Sequence, residues 1–475
     1  MPDYDDALEA RIPTDSPDNV RQVLLHAWSR DLTTLKTLLD QPGAASRQDP
    51  KTGETPLHAV VRGCGPSSEP DPGAGGTDED GEEEEDEEDG VVAEARACIE
   101  ELFFSGAIWN DVDDHNETPG CTALRLGRKQ LYRMFVDAGV RAELLFGLMD
   151  DGYEELSSGG EEAADDDMEE AAAADGEQQP PQEAALKRDA DDDAQDEVVP
   201  TQDNEQEQEA PARFVAPDAG EKNIVSDDYL RSTVTYDGDK LLDDDLNGVM
   251  MAWETDIMRR SVAALLPDDD GDKVSDAPGK RILNIGFGMG IIDGLFAERN
   301  PSKHHIIEAH PGVLAHVARG GTRFGADWEA RSSAAAGADD DDDGTSFKMF
   351  HGRWQDVVPT LLARGELYDA IYFDTFGEDY RELRTFFTDH VPALLDGDGR
   401  FGFFNGLGAD RRVCYDVYAR VVDMHAADAG LDVEWHDVDV DMAALREDGK
   451  GAWEGVRRRY WTLDTYKLPI CTFMG

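Results

Sequence analysis

The sequence predicts a mostly parallel α/β domain in the C-terminal half of the chain, preceded by a small all-α domain. After residue 222, short apolar strands alternate with helical segments, which is typical of a parallel sheet covered by helices on both faces. A glycine-rich turn follows the first strong strand, whereas residues 17–40 show helical periodicity. The chain of 475 residues is also too long for one ordinary hydrophobic core, which favours two domains.

Acidic runs carry much of the net charge of −61, because they are concentrated at residues 69–89, 150–197 and 339–343. Such runs repel themselves and contain too few apolar residues to form a core, so they predict solvated loops and linkers. A docking tail for a basic partner is the alternative. The acidity argues against unaided binding of nucleic acid, which requires clustered Lys and Arg.

These observations predict three parts: an all-α domain at residues 15–148 with an acidic loop at 66–90, an acidic disordered linker at 149–221, and the α/β domain at 222–475. Five cysteines without a CxxC pair indicate a reducing compartment. No apolar run is long enough for a membrane span, and the first residues lack the pattern of a signal peptide. We expect a soluble protein of the cytoplasm and nucleus, without a bound metal.

The all-α domain carries a weak internal repeat. The segment GETPLHAVV begins at Gly53, and a looser copy, GCTALRLG, begins at Gly120, about two periods of roughly 33 residues later. Residues 93–106 predict a further helix that ends at a glycine. These segments resemble ankyrin repeats, in which helix pairs open with a turn and a Thr-Pro-Leu-His segment, so we predict two to three degenerate repeats. His58 is expected to form structural hydrogen bonds rather than to bind a ligand.

The α/β domain is predicted from segments that alternate in type. Strands are predicted at residues 281–285, 304–308, 347–350, 368–374 and 400–404. Helices are predicted at residues 291–299, 357–363, 383–395 and 413–429. In such sheets ligands bind at the carboxyl ends of the strands, near the switch in strand order.

A glycine loop follows the first of these strands in the segment RILNIGFGMG. Gly286, Gly288 and Gly290 allow the backbone to approach a ligand closely. A dinucleotide fingerprint would require a third glycine at position 291, which is Ile291. The spacing therefore disfavours an NAD site and is typical of the Gly-x-Gly-x-Gly loop of methyltransferases. A merely tight turn is the alternative.

Two side chains on the next strands point to the same kind of nucleotide-like cofactor. Glu308 ends the strand in HHIIEAH, where a carboxylate can accept hydrogen bonds from both ribose hydroxyls. An incidental acid at a strand end is the alternative. Trp354 follows the third strand in HGRWQDV and can lie against an adenine ring, although a single Trp is as often part of a core.

Two carboxylates complete the set of candidate site residues. Asp374 ends the fourth strand in YFDTF, directly over the predicted cleft, and Glu254 precedes a helix in AWETDIM. Glu254 is equally compatible with an acid in the first turn of a helix, where the helix dipole favours negative charge.

The motifs of the α/β domain resemble guanidinoacetate methyltransferase in MMAWETDIM, LNIGFGMGI, IIEAHPGV, GRWQDV and YFDTFGED. The later segments FFNGLGADRRVCYDVYARVV and GVRRRYWTLDTYKLPICTF, with the ankyrin-like front, are similar to the fungal arginine N-methyltransferase 2 family, also called type IV protein arginine methyltransferases. The resemblance implies a Rossmann-like class I methyltransferase domain that uses S-adenosylmethionine. It also implies methylation of the internal (δ) nitrogen of arginine in a large-subunit ribosomal protein.

The resemblance also implies roles for residues that match the family by position. Residues implied to hold the methionine end of the cofactor belong to the glycine loop: Gly286, Phe287, Gly288, Met289, Gly290, Ile291 and Ile292. Glu308 is implied to hold the ribose, and the residues implied to line the adenine side are Ala309, His310, Arg353 and Trp354. The residues implied to cover the cofactor are Tyr229, Met250 and Met258. Glu254 and Asp374 are implied to hold the guanidino group, and Asp374 also lies near the cofactor.

Two other functions are compatible with these motifs. One is methylation of a small guanidino compound, against which the ankyrin-like domain argues, since a metabolite enzyme has little use for a protein-docking solenoid. The other is a non-catalytic scaffold, against which the glycine loop and the carboxylates argue. The basic run at residues 457–459 is expected to be a strand edge or an internal ion pair. We expect a monomer with a protein substrate and no nucleic-acid or membrane partner.

Overall fold

The computed structural model describes residues 4–67, 90–158, 224–267, 279–331 and 346–475. Most residues of the predicted acidic runs and of the predicted linker lie outside these ranges. One compact unit contains both the N-terminal helices and the C-terminal sheet, and a second unit, residues 147–213, is described only as the end of one helix. No helix in the described ranges combines the length and the apolar character needed to cross a membrane.

The described N-terminal part is helical, as the sequence predicts. Its helices are α1 (Leu8–Arg11), α2 (Asp18–Trp28), α3 (Leu32–Leu39), α4 (Pro56–Gly63), α5 (Gly90–Phe104), α6 (Pro119–Arg125) and α7 (Lys129–Ser158). The predicted glycine stop after α5 is confirmed, since Gly106 has a positive φ of 87° that favours glycine.

Helices α4 and α6 begin in the same way. Thr55 and Thr118 each accept a hydrogen bond from the backbone N–H three residues later, and a proline follows each threonine. Aligning the segments that begin at Gly53 and Gly120 places Thr55 opposite Thr122. This alignment is wrong by one helical turn, because the threonine that caps α6 is Thr118. His58 is fully buried between Thr55 Oγ1, at 2.8 Å, and the carbonyl of Glu117, at 3.0 Å, so its predicted structural role is confirmed.

The C-terminal part is an α/β domain. Its strands are β1 (Thr235–Asp237), β2 (Lys240–Leu242), β3 (Gly248–Met251), β4 (Arg281–Ile285), β5 (Lys303–Glu308), β6 (Phe347–His351), β7 (Tyr368–Phe373), β8 (Leu395–Phe403), β9 (Leu431–Asp439) and β10 (Thr465–Phe473). Its helices are α8 (Ser226–Arg231), α9 (Thr255–Leu265), α10 (Ile291–Glu298), α11 (Pro311–Ala318), α12 (Ala326–Glu329), α13 (Trp354–Ala363), α14 (Tyr380–Thr385), α15 (Val391–Leu394) and α16 (Arg412–Asp428).

The main sheet has the strand order β6-β5-β4-β7-β8-β10-β9. Strands β4 to β8 pair in parallel, and β10 pairs antiparallel with both β8 and β9. From β4 the chain moves outward to β5 and β6, and then crosses back to β7 on the other side of β4. The switch point of this α/β fold therefore lies between β4 and β7, where a ligand cleft is expected.

The predicted strands and helices are confirmed with shifts of a few residues, except at one helix. The segment predicted as a single helix over 383–395 comprises the end of α14, a π-helical turn (Phe386–His390) and α15, and Leu395 already belongs to β8. Strands β9 and β10 and the small antiparallel sheet β1-β2-β3 were not predicted. The alternation of Leu431, Val433 and Trp435 with polar residues is a strand signal for β9 that was missed, whereas β1, β2 and β3 are only three or four residues long.

Helix α16 joins the N-terminal helices to the α/β domain. Val413, Val417 and Val421 are fully or almost fully buried in the same apolar cluster as the N-terminal helices. Polar contacts border this cluster, including Tyr132 Oη to Asp416 Oδ2 at 2.6 Å and Arg420 to Asp137 at 2.6 Å. The two parts thus share one continuous core at α16.

Candidate active site

The ends of β4 and β7 meet at the switch point and position the candidate site. The backbone N–H of Asp374 donates to the carbonyl of Ile285 at 2.8 Å, which continues the β4–β7 pairing to the point where both strands end. Gly286 follows directly, with φ +90°, and a Cβ built on it would lie 1.8 Å from the carbonyl oxygen of Asp374. Only glycine fits here, because a side chain would collide with backbone and require a conformation that L-residues rarely adopt.

The remaining glycines of the loop also have positive φ. Gly288 (φ +53°) packs against Met250, and a Cβ added to Gly288 would lie 2.8 Å from the Met250 Cε. Gly290 (φ +70°) packs against Phe287, and a Cβ added to Gly290 would lie 2.5 Å from the Phe287 ring. Helix α10 begins immediately after Gly290. The backbone N–H groups of Gly286 and Gly290 bond main-chain carbonyls, and those of Phe287 and Gly288 bond Glu308, so the contribution of the glycines is a tight turn that leaves the wall of the cleft open.

Glu308 ends β5 beside this loop. Its Oε2 accepts hydrogen bonds from the backbone N–H groups of Phe287, at 3.0 Å, and Gly288, at 3.3 Å. Its Oε1 accepts from the N–H of His310 at 2.5 Å. Burial raises the pKa of Glu308, and these backbone donors oppose the rise. A carboxylate offers about four acceptor positions, so Glu308 can orient the loop and still accept from a ligand hydroxyl.

A cleft of about 610 Å³, which includes space open to solvent, lies above the glycine loop. The predicted site residues that line it are Tyr229, Met250, Gly286, Gly288, Glu308, Ala309, Arg353, Trp354 and Asp374. Trp354 is largely a core residue, since it is 3% exposed and packs edge-on against Phe373 and Phe386. Arg353 forms an ion pair with Asp227 at the rim.

Other predicted cofactor residues lie behind the cleft instead of on its wall. Those residues are Met258, Phe287, Met289, Gly290, Ile291, Ile292 and His310. Phe287 is fully buried against Phe324, and Met258 is buried in the core of α9. His310 accepts from the N–H of Gly312 at 3.0 Å and bonds the carbonyl of Tyr229 at 3.0 Å, so it fixes α11 and Tyr229.

Sequence reasoning missed Glu378, which also lines the cleft. Its carboxylate accepts from Trp354 Nε1–H at 3.1 Å and from Thr375 Oγ1–H at 2.7 Å. Glu378 follows β7 by only a few residues, and its position in YFDTFGED was the one available signal. It holds the Trp354 indole in place at the wall of the cleft.

A second cavity, of about 650 Å³, shares Asp374 with the cleft. It also contains Glu254, which is 4% exposed at the start of α9. Glu254 stands at the N-terminus of α9, which agrees with the alternative role of an acid favoured by the helix dipole, but its side chain makes no capping bond there. Asp374 Oδ2 is buried without a hydrogen-bond partner among the described residues. Two poorly compensated acids thus face a cavity next to the cleft, an arrangement suited to a cation.

This second cavity, lined by Glu254 and Asp374, is called the acceptor cavity after the acceptor group expected from the sequence. Its electrostatics favour the neutral form of both carboxyl groups. Burial raises the pKa of Asp374 to about 7, and the nearby Asp293 carboxylate adds to the rise. Burial and the charge of Asp374 raise the pKa of Glu254 well above its ordinary value. A bound guanidinium would reverse both effects, because an opposite charge stabilises the ionised form of each acid.

Two further residues of the acceptor cavity were missed as site residues. Tyr460 donates a hydrogen bond from its hydroxyl to Glu254 Oε1, and the exposed Arg458 lines the same cavity. Of the predicted basic run, Arg459 forms the expected ion pair, with Asp448 at 3.2 Å, whereas Arg458 does not belong to a strand. Their segment joins β9 to β10 and reaches the cavity only through the tertiary fold.

We expect Gly286→Ala to reduce cofactor affinity by about a hundredfold or more. The added Cβ would meet the Asp374 carbonyl at 1.8 Å, so the β4–β7 junction would have to open. Gly365→Ala is the matched control, because Gly365 has a similar φ of +71° but an added Cβ there would meet nothing within 4 Å. Calorimetric titration with S-adenosylmethionine measures the difference, and equal affinity in the two variants would contradict the role assigned to the loop.

Comparison with known proteins shows relatives that match nearly the whole chain. The chain is 56% identical over 461 residues to "Protein arginine N-methyltransferase 2" of Gibberella zeae, and the match covers 97% of this chain and 94% of the relative. A protein of the same name from Neurospora crassa is 53% identical, and the match covers 99% of this chain and 99% of the relative. Another from Emericella nidulans is 44% identical, and the match covers 96% of this chain and 97% of the relative. No protein-family model matches the chain.

Solved structures show only a weak overall likeness. Magnesium protoporphyrin IX methyltransferase from Synechocystis, with bound SAM, matches 46% of this chain and 80% of its own, with 13% sequence identity and a TM-score of 0.28. A likeness of this size carries no argument, so the fold rests on the strand order described above.

Proposed function

This chain belongs to the protein arginine N-methyltransferase 2 family, and we propose that it methylates the internal (δ) nitrogen of an arginine in a large-subunit ribosomal protein. Its membership confirms the resemblance found in the motifs, and the chain is an S-adenosylmethionine-dependent methyltransferase. The observation that supports a guanidino acceptor is the pair of buried acids, Glu254 and Asp374, in a cavity beside the cleft, whereas the choice of the δ nitrogen and of a ribosomal protein rests on the family resemblance.

The cleft offers polar groups suited to S-adenosylmethionine. Gly286 and Gly288, both with positive φ, would lie beside the methionine end, Glu308 would accept from the ribose, Trp354 would stand on the adenine side, and Tyr229 would cover the cofactor. When bound, S-adenosylmethionine supplies an activated methyl group on a positively charged sulfur. The chain's own task is therefore to hold the acceptor nitrogen in line and to manage its charge.

Glu254 and Asp374 are proposed to hold the guanidino group. A guanidinium has a pKa above about 12 and its lone pairs are delocalised, so it is a poor nucleophile. Two carboxylates that accept from its N–H groups would fix its plane and draw positive charge away from the attacking nitrogen. Methylation releases one proton while the product keeps its charge, and one of the two carboxylates is placed to accept that proton, directly or through water.

The protein acceptor rests on the N-terminal helices as well as on the family. Paired helices that begin with Thr-Pro turns support an ankyrin-like repeat, an architecture that presents extended binding surfaces. We propose that this region docks the substrate protein. We also propose that the enzyme acts as a monomer in the cytoplasm and nucleus, where its substrate would be available.

A small guanidino acid is a second candidate acceptor, and Arg458 is the observation that favours it. Its side chain lines the acceptor cavity at the exposed rim and has no ion-pair partner among the described residues. A carboxylate close to the guanidino group of a small substrate could pair with this guanidinium. In a protein substrate, Arg458 would instead meet main-chain carbonyls.

Mass spectrometry distinguishes these acceptors. The enzyme would be incubated with labelled S-adenosylmethionine and either a ribosomal fraction or guanidinoacetate. We expect label on an arginine of one ribosomal protein, and fragmentation that reports methylation of the internal nitrogen. Label confined to guanidinoacetate, or to the terminal guanidino nitrogens, would contradict the proposal.

We expect kcat/KM for the guanidino substrate to rise with pH, with a midpoint near pH 7. The raised pKa of Asp374, about 7, keeps its carboxyl neutral at pH values where an ordinary Asp is ionised. Activity should therefore be lost as the pH falls through about 7, because the neutral acid no longer pairs with the guanidinium. A pH–rate profile at saturating S-adenosylmethionine measures this limb, and a flat profile between about pH 6 and 8 would exclude it.

A further inference from the structure

Tyr460 connects an aromatic cluster to Glu254 at the acceptor cavity. Its hydroxyl donates to Glu254 Oε1 and accepts a hydrogen bond from Trp253 Nε1–H at 3.2 Å. We propose that Tyr460 is a positioning residue for guanidino methylation, which orients the Glu254 carboxyl group toward the acceptor. This inference rests on the role proposed above for Glu254.

The direction of the Tyr460 proton follows from the chemistry of its two partners. An indole N–H is a donor only, so Trp253 occupies a lone pair of the Tyr460 oxygen and cannot accept its proton. The proton is therefore directed to Glu254. The bond connects a donor and an acceptor that are 206 residues apart in the chain, so it exists only in the folded protein.

Aromatic packing holds the Tyr460 ring in this position. Its centroid lies 4.9 Å from Trp453, edge to face, and 6.0 Å from Trp253. Trp453 is fully buried and anchors its own indole N–H on the carbonyl of Leu445 at 2.9 Å. A rigid phenol donates along a fixed direction, whereas a water molecule in its place could reorient toward the substrate.

The charge environment explains why Glu254 needs such a donor. Burial and the charge of Asp374 favour its neutral form, and the Tyr460 hydrogen bond opposes them by lowering the pKa of Glu254. The other titratable or charged groups around the cavity are Tyr372, which senses the charge of Glu254, and Arg458 at the rim. Without the Tyr460 donor, Glu254 would hold its proton to higher pH and would bind a guanidinium less well.

Binding of methylguanidinium to Tyr460→Phe tests the proposal without requiring knowledge of the natural substrate. The probe would be titrated into the full chain saturated with S-adenosylhomocysteine, over about pH 6 to 9. We expect its affinity to fall about tenfold near pH 7 and the midpoint of its pH dependence to move to higher pH, since a hydrogen bond to a charged group is lost. Affinity for S-adenosylhomocysteine should stay within about twofold, because Tyr460 does not line the cofactor cleft.

Tyr132→Phe is the matched control. It also removes a tyrosine hydroxyl from a carboxylate, Asp416 at 2.6 Å, but in the interface with the N-terminal helices. This variant should leave methylguanidinium affinity and its pH dependence unchanged. An equal change in both variants would indicate a general structural effect and would overturn the positioning role.

Trp253→Phe keeps the test decisive if Tyr460→Phe does not fold, and a double variant adds a second test if Tyr460→Phe folds. Trp253→Phe removes only the donor to Tyr460 and should shift the pH midpoint in the same direction by a smaller amount. In a Glu254→Gln background, Tyr460→Phe should cause no additional loss of methylguanidinium affinity, because its effect acts through the Glu254 charge. Unchanged pH dependence in Trp253→Phe, or additive losses in the double variant, would contradict the proposal.

The two proposals fail in different ways. If methylguanidinium binding depends on Tyr460 but no protein arginine is labelled, the protein acceptor is wrong and the positioning role stands. If ribosomal arginine is methylated and neither variant alters methylguanidinium binding, the positioning role is wrong and the protein acceptor stands.

Discussion

Glu254→Gln and Asp374→Asn are each expected to lower kcat for arginine methylation about a hundredfold to a thousandfold. Each substitution keeps the shape of the side chain and removes its negative charge, and it turns an N–H₂ group toward the N–H donors of the substrate. The positive charge of the guanidino group during methyl transfer would then be stabilised by one carboxylate instead of two. The double variant should have a kcat only a little below that of the slower single variant, because the two acids act on one group.

Kinetics with labelled S-adenosylmethionine must be combined with a direct measurement of cofactor affinity. Asp374 lines the cofactor cleft as well as the acceptor cavity, so its variant could lower turnover by weakening either site. Glu254 lines the acceptor cavity but not the cofactor cleft, so a loss of turnover in its variant reports on the acceptor site alone. Near-normal turnover in both variants, with intact cofactor binding, would show that the two-carboxylate model is wrong.

Asp256→Asn is the matched control for the loss of a charge near α9. Asp256 stands two positions after Glu254, its side chain is 57% exposed, and it pairs with Arg259 and Arg260 on the surface of the helix. Exposed pairs of this kind contribute little to stability. Turnover and cofactor affinity should therefore stay within about twofold of the unmodified protein.

Gly139→Val is expected to lower the free energy of unfolding by about 2 kcal/mol or more, through overpacking of the interface between α7 and α16. A Cβ at this position would lie 2.5 Å from Val417 and 3.0 Å from the ring of Trp109. The valine cannot be accommodated unless α7 separates from α16, and separation would expose buried valines at a cost of about 1.5–3 kcal/mol each. Because the N-terminal helices and the sheet share this core, we expect one unfolding transition at lower temperature.

Thermal unfolding followed by circular dichroism measures this effect, with Gly397→Ala as the control. Gly397 lies in β8 without a positive φ, and a Cβ added there would meet nothing within 4 Å, so alanine should be tolerated. If Gly139→Val splits the transition in two and leaves the upper one unshifted, the N-terminal helices and the α/β domain would be independently stable. The shared core described at α16 would then contribute little.

Local patterns were sufficient for much of the fold and of the cofactor cleft. The positions of β4, β5 and β7 follow from short apolar runs, and the cleft-lining residues Gly286, Glu308 and Asp374 follow from where those runs end. These features depend on neighbours in the chain, and parallel strand ends always meet at one edge of the sheet. The same logic could not distinguish a cleft residue from one behind it, which is why Phe287 and His310 were grouped with the lining residues.

Local sequence patterns predict the α/β fold class, the glycine loop, the family and the two acids that we propose as ligands of the guanidino group. The packing of the whole chain is needed to show that Glu254 and Asp374 line one cavity, that Tyr460 donates to Glu254, and that the N-terminal helices share a core with α16. The two sets of features differ in the range of the interactions that produce them. Glycine conformation and strand burial are set by adjacent residues, whereas the contact of Tyr460 with Glu254 depends on how the whole chain packs.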